Sequence, residues 1–344
     1  MDVDERLQLV KRNTQEIITE DELRELLQKK EQPTVYIGIS ITGQPHVGYF
    51  LWVTKISDFI KAGFKVKILL ADLHGALDNT PWPLLEKRYE LYKEVITGLF
   101  EATGTDLSKL EFVKGSAFQL SKEYTLDVLK MTTLASVHDC TKAASEVVKM
   151  GDSPKLSGLI YPIMQSLDEQ YLGVDVQYGG LDQRKILVFA REYLPKLGYK
   201  ARVEIMTPLI PGLLEGGKMS SSVAGSKIGV LDDEKVVGQK INNAYCEAGK
   251  VEGNGLLAFL KFVVMVHKED NGELFTIERA EKFGGSLEFK FYTEIEDAFA
   301  NKEIHPLDLK KAIAREVNLL LAQVKYRMKD KSALVEEAYP DEAA

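Results

Sequence analysis

The chain alternates between short β-rich runs and longer stretches of helical spacing. Thr34 to Ile39, Lys65 to Ala71 and Leu110 to Lys114 read as strands, and Asp175 to Tyr178 and Val203 to Met206 have the same character. Between the first two, Tyr49, Trp52, Val53, Ile56, Phe59 and Ile60 recur at helical intervals and predict a helix from about His46 to Ala62, closed by Gly63. A second helix is expected from Pro83 to Thr103, stopping at Gly104. Helical patterns also cover Thr125 to Val148 and Leu159 to Leu172. Near the start, Thr19 to Glu22 reads as a capping box ahead of Leu23, Leu26 and Leu27.

Strands that alternate with helices predict an α/β fold, a doubly wound parallel sheet with helices on both faces. After about Gly229 the strand signal fades and helices prevail. The expected organisation is residues 1–228 as an α/β domain, with an inserted helical segment around 119–160, and residues 229–344 as an all-α domain.

A length of 344 residues is sufficient for two domains. The only long apolar stretch, Leu256 to Val266, is broken by Lys261 and is too short for a bilayer, so no membrane partner is expected. The first residues, Met1 to Arg6, are acidic and lack an apolar leader. Cys140 and Cys246 have neither zinc-site nor disulfide spacing, which points to a reducing cytoplasm. The net charge of −8 argues against nucleic acid. Its distribution softens that objection, because Lys310, Lys311, Arg315, Lys325, Arg327, Lys329 and Lys331 crowd the C-terminal helices. A solvated face would look the same.

Three segments carry candidate chemistry. The first strand leads into Thr42-Gly43-Gln44-Pro45-His46-Val47-Gly48-Tyr49, a loop entering a helix. In a doubly wound sheet such a corner lies where ligands bind, and its free N–H groups suit phosphate. Gly43 can turn tightly, Gly48 leaves room for a flat base, and His46 can donate to a phosphate oxygen. An ordinary strand–loop–helix corner would share these features. The second segment, Gly216-Gly217-Lys218-Met219-Ser220-Ser221-Ser222, is donor-rich and can follow charge onto a leaving diphosphate. By composition alone it reads rather as a flexible linker. The third places Tyr161, Gln165 and Asp168 on one helical face, followed by Gly179-Gly180-Leu181-Asp182-Gln183 after a strand. Polar residues on an otherwise apolar face need partners when buried.

The first two loops, in this order, resemble the HIGH and KMSKS signatures of class I aminoacyl-tRNA synthetases. Together with Ala71-Asp72-Leu73-His74, Leu159 to Gln165, Gly180 to Lys185, Lys282 to Gly285 and His305 to Lys310, the chain resembles tyrosyl-tRNA synthetases of the archaeal and eukaryotic type from about Leu9 to Pro340. The resemblance implies a Rossmann-like catalytic domain, a C-terminal anticodon-binding domain and a homodimer joined near the inserted segment.

It also implies residue roles. Tyr36 and Asp168 would hold a phenolic hydroxyl, and Tyr161, Gln165 and Gln183 an α-ammonium group. Leu69, His74, Phe118 and Gln119 would shape the rest of the pocket. Gly43, His46, Gly48, Asp182, Lys218, Met219 and Ser221 would bind ATP, with His46, Lys218, Ser220 and Ser221 active in catalysis. Phe283, His305 and Asp308 would read the anticodon of tRNA(Tyr). No metal is expected on protein ligands, since Mg²⁺ would arrive on the phosphates of ATP. Two departures stand out: Tyr49 replaces the second histidine of the first signature, and Ser221 the second lysine of the other. A monovalent cation near Lys218 to Ser222, or other residues, would make up the missing charge. No appended domain is expected beyond Asp341. A tryptophanyl enzyme, a small-molecule nucleotidyltransferase and a non-catalytic RNA-binding relative are the competing readings.

Overall fold

The computed structural model describes residues 1–148, 151, 153–216 and 227–340. Helices α1 (Val3–Lys11) and α2 (Glu20–Lys29) flank a three-residue strand, β1 (Glu16–Ile18). Then come β2 (Thr34–Ser40), α3 (Tyr49–Lys61), β3 (Lys65–Ala71), α4 (Asp72–Leu77), α5 (Leu85–Ala102) and β4 (Leu110–Lys114). A helical segment follows with α6 (Ser116–Gln119), α7 (Lys122–Thr132), α8 (Val137–Ala144) and α9 (Leu156–Tyr171). The sheet resumes with β5 (Val176–Gly180), α10 (Arg184–Tyr193) and β6 (Val203–Thr207).

The sheet order is β1-β6-β5-β2-β3-β4, parallel throughout except for β1. The chain winds outward from β2 through β3 and β4, then returns to add β5 and β6 on the other side. This confirms the doubly wound fold and sets its switch point between β2 and β5, where such sheets bind ligands. The pattern gave no sign of β1. Three residues are too few to show alternation, and this strand exists through its antiparallel ladder to β6.

The remaining helices are α11 (Glu234–Asn243), α12 (Gly255–Phe259), α13 (Met265–Asn271), α14 (Tyr292–Ala300), α15 (Pro306–Met328) and α16 (Ser332–Ala338). A π-helical turn at Leu260–Val264 joins α12 to α13. This half is not all-α, because β7 (Phe275–Ile277) and β8 (Leu287–Phe289) pair antiparallel. Each has only three residues, and Phe275, Ile277 and Phe289 turn into the core.

Two further expectations are corrected. The helix expected from His46 starts at Tyr49, because the preceding residues pair with a distant segment: Val47 N–H donates to Ile228 O (2.9 Å) and Val230 N–H to Pro45 O (3.3 Å). At α2, Thr19 accepts from Glu22 N–H as predicted, but the Glu22 carboxylate turns away to Arg191, at 2.8 and 2.9 Å, and does not close the capping box.

One core runs from the sheet into the C-terminal helices, taking in Ile37, Ile68, Leu99 and Phe100 along with Ile313, Leu321 and Val324. A second core packs α7 and α8 on α9 and α10, around Tyr124, Met131, Leu167 and Phe189.

Candidate active site

Strand β2 carries Tyr36 into the sheet interior opposite Gln177 of β5, fully buried at the switch point. Its phenol donates to the backbone carbonyl of Gln165 at 3.2 Å. Burial and the nearby Asp168 charge raise that phenol well above its ordinary pKa, so it stays neutral and can donate.

Helix α9 lies over this face. Its i, i+4, i+7 spacing brings Tyr161, Gln165 and Asp168 to one side, as the sequence predicts, and all three are buried. Asp168 Oδ1 accepts from Gln119 Nε2 and from Tyr124 Oη, both at 2.8 Å. Asp168 Oδ2, Gln119 Oε1 and His74 Nε2 are buried with no protein partner, and His74 Nε2 lies 3.8 Å from Asp168 Oδ2. Unpaired buried polar atoms are costly, so three together mark a place for a polar ligand group.

Burial pushes the Asp168 carboxyl up to about 8, against the opposing hydrogen bonds from Gln119 and Tyr124. Because Oδ1 already accepts twice, the proton falls on Oδ2. Burial lowers His74 to about 4, so it is a neutral imidazole, edge-on to Tyr161 with ring centroids 4.7 Å apart. Tyr124 was missed by the sequence reading. It lies on α7, far from any motif, and only the fold brings it 2.8 Å from Asp168.

At the other end of the pocket Gln165 Nε2 donates to Gln183 Oε1 at 2.9 Å. At the two glycines before Gln183, neighbouring side chains lie close to the backbone. A Cβ on Gly179 would sit 3.0 Å from Gln183 Oε1, and one on Gly180 would sit 2.6 Å from Asp182 Oδ1. A larger residue at either position would require the Gln183 or Asp182 side chain to shift.

The first signature loop adjoins this pocket. His46 Nδ1 accepts from Gly48 N–H at 3.2 Å, which leaves the proton of the neutral ring on Nε2. Burial, with help from Lys227, lowers His46 to about 4, so it acts as an uncharged donor at neutral pH. Tyr49 meets the His46 ring edge-on at 5.2 Å. Arg88 of α5 braces the loop by donating to the carbonyls of Ile41 and Thr42. The same guanidinium donates to Ala338 O at 3.1 Å and lies over the Tyr339 ring at 4.4 Å. Tyr92 donates to Gly43 O. Neither brace was legible in the sequence. Lys218, Met219, Ser220 and Ser221 lie outside the described residues.

The three residues expected to read an anticodon lie in the C-terminal half. Phe283 is 63% exposed at the end of a short 3-10 turn, ahead of Gly284 and Gly285, both in the left-handed region. His305 caps α15, its Nδ1 accepting from Leu307 N–H at 3.2 Å. Asp308 sits in the first turn of that helix, half-buried, and its carboxylate makes no recorded bond among the described residues. Arg279 joins the two loops, donating to Gly285 O at 2.9 Å and to Glu303 O at 3.0 Å.

A family profile described as "tRNA synthetases class I (W and Y)" matches residues 28–322. The cytoplasmic tyrosine–tRNA ligase of Danio rerio is 48% identical over 343 residues, covering 98% of this chain and 64% of that protein. The tyrosine–tRNA ligase of Haloarcula marismortui is 44% identical over 343 residues, covering 99% of each. The crystal structure of the Archaeoglobus fulgidus tyrosyl-tRNA synthetase, complexed with L-tyrosine, superposes with a TM-score of 0.89 at 40% identity, covering 95% of this chain and 99% of that one. The chain thus spans just under two thirds of the length of its vertebrate relatives and nearly all of its archaeal ones.

Proposed function

The chain belongs to the class I tRNA synthetases of the tryptophan and tyrosine group, and from that premise we propose that it is a tyrosine–tRNA ligase working in the cytoplasm. The observation that carries the choice of tyrosine is the buried polar end of the pocket. There Tyr36 and Asp168 converge and Asp168 Oδ2 lacks a protein partner. A phenol both donates and accepts, and this pair can do the same in return. An indole N–H only donates, which argues against tryptophan. A nucleotidyltransferase would have no use for a loop presenting Phe283 beside the His305 corner. A non-catalytic relative would not need a complete tyrosine pocket.

In the proposed reaction the tyrosine carboxylate attacks the α-phosphorus of ATP. A P–O bond forms, and the bond to the departing diphosphate breaks. A terminal ribose hydroxyl of tRNA(Tyr) then attacks the acyl carbon, giving the ester and AMP. Tyr161, Gln165 and Gln183 would accept from the α-ammonium group. Gly43, Gly48 and Asp182 would bind ATP. His46 would donate through Nε2 to phosphate, with Lys218, Met219, Ser220 and Ser221 meeting the leaving diphosphate. No covalent nucleophile is required, because catalysis is positioning and charge stabilisation.

Mg²⁺ would enter on the ATP phosphates. Among the described residues no three His, Cys, Asp or Glu side chains gather into a group able to hold a metal ion. A monovalent cation near Lys218 to Ser222 would offset the lysine replaced by Ser221. The division into a catalytic domain, 1–228, and an anticodon-binding domain, 229–344, belongs to this proposal, with Phe283, His305 and Asp308 reading the anticodon. So does a homodimer, which is supported by the exposed apolar side chains of Leu120, Leu126, Leu129, Leu134 and Val137 on the inserted segment.

Exchange of labelled diphosphate into ATP tests the reading. It should depend on tyrosine and not respond to tryptophan or phenylalanine. Absence of exchange with tyrosine would overturn it.

A further inference from the structure

Behind the amino-acid pocket lies a group of buried acids that the proposed reaction does not use. Strands β2, β5 and β6 set Tyr36, Gln177 and Glu204 opposite one another, so the three side chains leave the sheet on one face. Glu204 is wholly buried there, and so is Glu169 of α9, the residue after Asp168. All four carboxylate oxygens lack a hydrogen-bond donor, and so does Gln177 Oε1. Five buried acceptors without a donor make a costly arrangement.

The neighbouring cations do not supply the donors. Arg191 of α10 is committed to Glu22 and to the carbonyls of Ile18 and Arg202. Arg202 is committed to Val174 O, Lys200 O and Gln170 Oε1. The other groups acting on the two carboxyls are Asp168 of α9 and Glu22 of α2, both acidic, while Tyr36 of β2 feels both charges. A proton on one of the two acids would supply a donor inside the site. Two acids in one low-dielectric site cannot both ionise cheaply, and an acid–carboxylate hydrogen bond relieves the charge and part of the acceptor excess together.

We propose that Glu169 and Glu204 form an acid–carboxylate pair that shares one proton and so holds helix α9, with the pocket residues it carries, against strand β6. Burial raises both carboxyls, more than Arg191 and Arg202 lower them, which keeps the proton in place at neutral pH. When it leaves in alkali, attraction between α9 and β6 becomes repulsion. Tyr161, Gln165 and Asp168 move with the helix. Glu169 and Glu204 are therefore positioning residues, and their effect on tyrosine rests on the pocket reading above; the pair itself does not.

The sign follows from linkage. Both acids have folded-state pKa values above their unfolded ones. The stability they contribute is complete below the ordinary glutamate range and is lost as pH rises through the folded values. Each proton held only by the folded chain makes the unfolding constant grow about tenfold per pH unit in that window. Glu204→Gln supplies an amide N–H to Glu169 at every pH, with almost no change of shape.

Urea unfolding between pH 6 and 9 should therefore show a shallower loss of stability in Glu204→Gln than in the parent, by about one proton. Asp168 titrates in the same direction, but it is common to both proteins and cancels. Glu169→Gln should behave alike if Glu204→Gln fails to fold. In the exchange assay, KM for tyrosine should rise more steeply from pH 7 to 9 in the parent than in the variant, where the Asp168 contribution alone remains, with kcat little changed. Equal slopes in parent and variants would overturn the pair even where exchange proceeds normally. A slope difference without tyrosine-dependent exchange would leave the pair standing and defeat the functional reading.

Discussion

At the scale of single residues, the pocket holds buried polar atoms without a protein partner, which a ligand hydroxyl could satisfy. Phenylalanine would leave the buried Asp168 Oδ2 unpaired, at a cost of about 1–3 kcal/mol, and would offer the Tyr36 phenol no bond beyond the one it makes to Gln165 O. The double variant Tyr36→Leu, Asp168→Ala removes both hydroxyl-binding groups. It is expected to activate phenylalanine nearly as well as tyrosine, measured as the ratio of kcat/KM values in diphosphate exchange. An undiminished preference for tyrosine would show that discrimination arises elsewhere. In the proposed reaction Lys218 would act at the other end. A preorganised cation that meets a departing diphosphate stabilises the transition state more than the bound substrates. Lys218→Ala is expected to slow single-turnover activation about 10²–10³-fold, the loss typical for one such donor. Tyrosine affinity should hardly change, and an unaltered rate would remove Lys218 from the mechanism. The pocket was legible where residues share a helix face, as Tyr161, Gln165 and Asp168 do. It was not legible where the partner arrives from another element. Tyr124 reaches Asp168 from α7, and Arg88 reaches the first signature loop from α5.

At the scale of elements, periodicity found most strands and helices, and the errors are physical. Both β1 and the pair β7–β8 are three residues long, below the length at which alternation can be seen. The start of α3 moved to Tyr49 because a distant segment, 228–230, competes for the backbone of residues 45–47. Helix α15 bears on the role proposed for Asp308. An Asp near a helix start is often its cap. Here the cap is His305, which takes the Leu307 N–H at 3.2 Å, leaving the Asp308 carboxylate available for another partner. Guanine presents N–H donors on its Watson–Crick edge, and a carboxylate accepts them. Asp308→Ala should therefore slow charging of tRNA(Tyr) and narrow the gap to a transcript altered at the first anticodon base, with tyrosyl-adenylate formation intact. Thermal stability should fall only slightly, since loss of a first-turn acid costs about 0.3–1 kcal/mol. A variant that melts early yet discriminates normally would return Asp308 to a structural role.

At the scale of the whole molecule, the change from strand-rich to helix-rich sequence near residue 229 is not a break in packing. The main core crosses it, and backbone meets backbone there. Gly255 opens α12 beneath the segment that leads to the second signature loop. A Cβ at that position would lie 2.3 Å from Gly212 O and 2.8 Å from Pro211 O. No side chain fits without moving backbone, so Gly255→Ala must displace either α12 or residues 211–212. Overpacking of this kind costs about 1–3 kcal/mol. The loss should fall on both halves together, because Leu256, Leu257 and Phe259 belong to the core shared by the sheet and α15. One melting transition is expected in the parent and one, at lower temperature, in Gly255→Ala. Tyrosine should raise both midpoints, since binding to the folded chain alone stabilises it by mass action. A variant melting in two steps, with tyrosine shifting only one, would show that the halves fold independently and that the continuous core does not couple them.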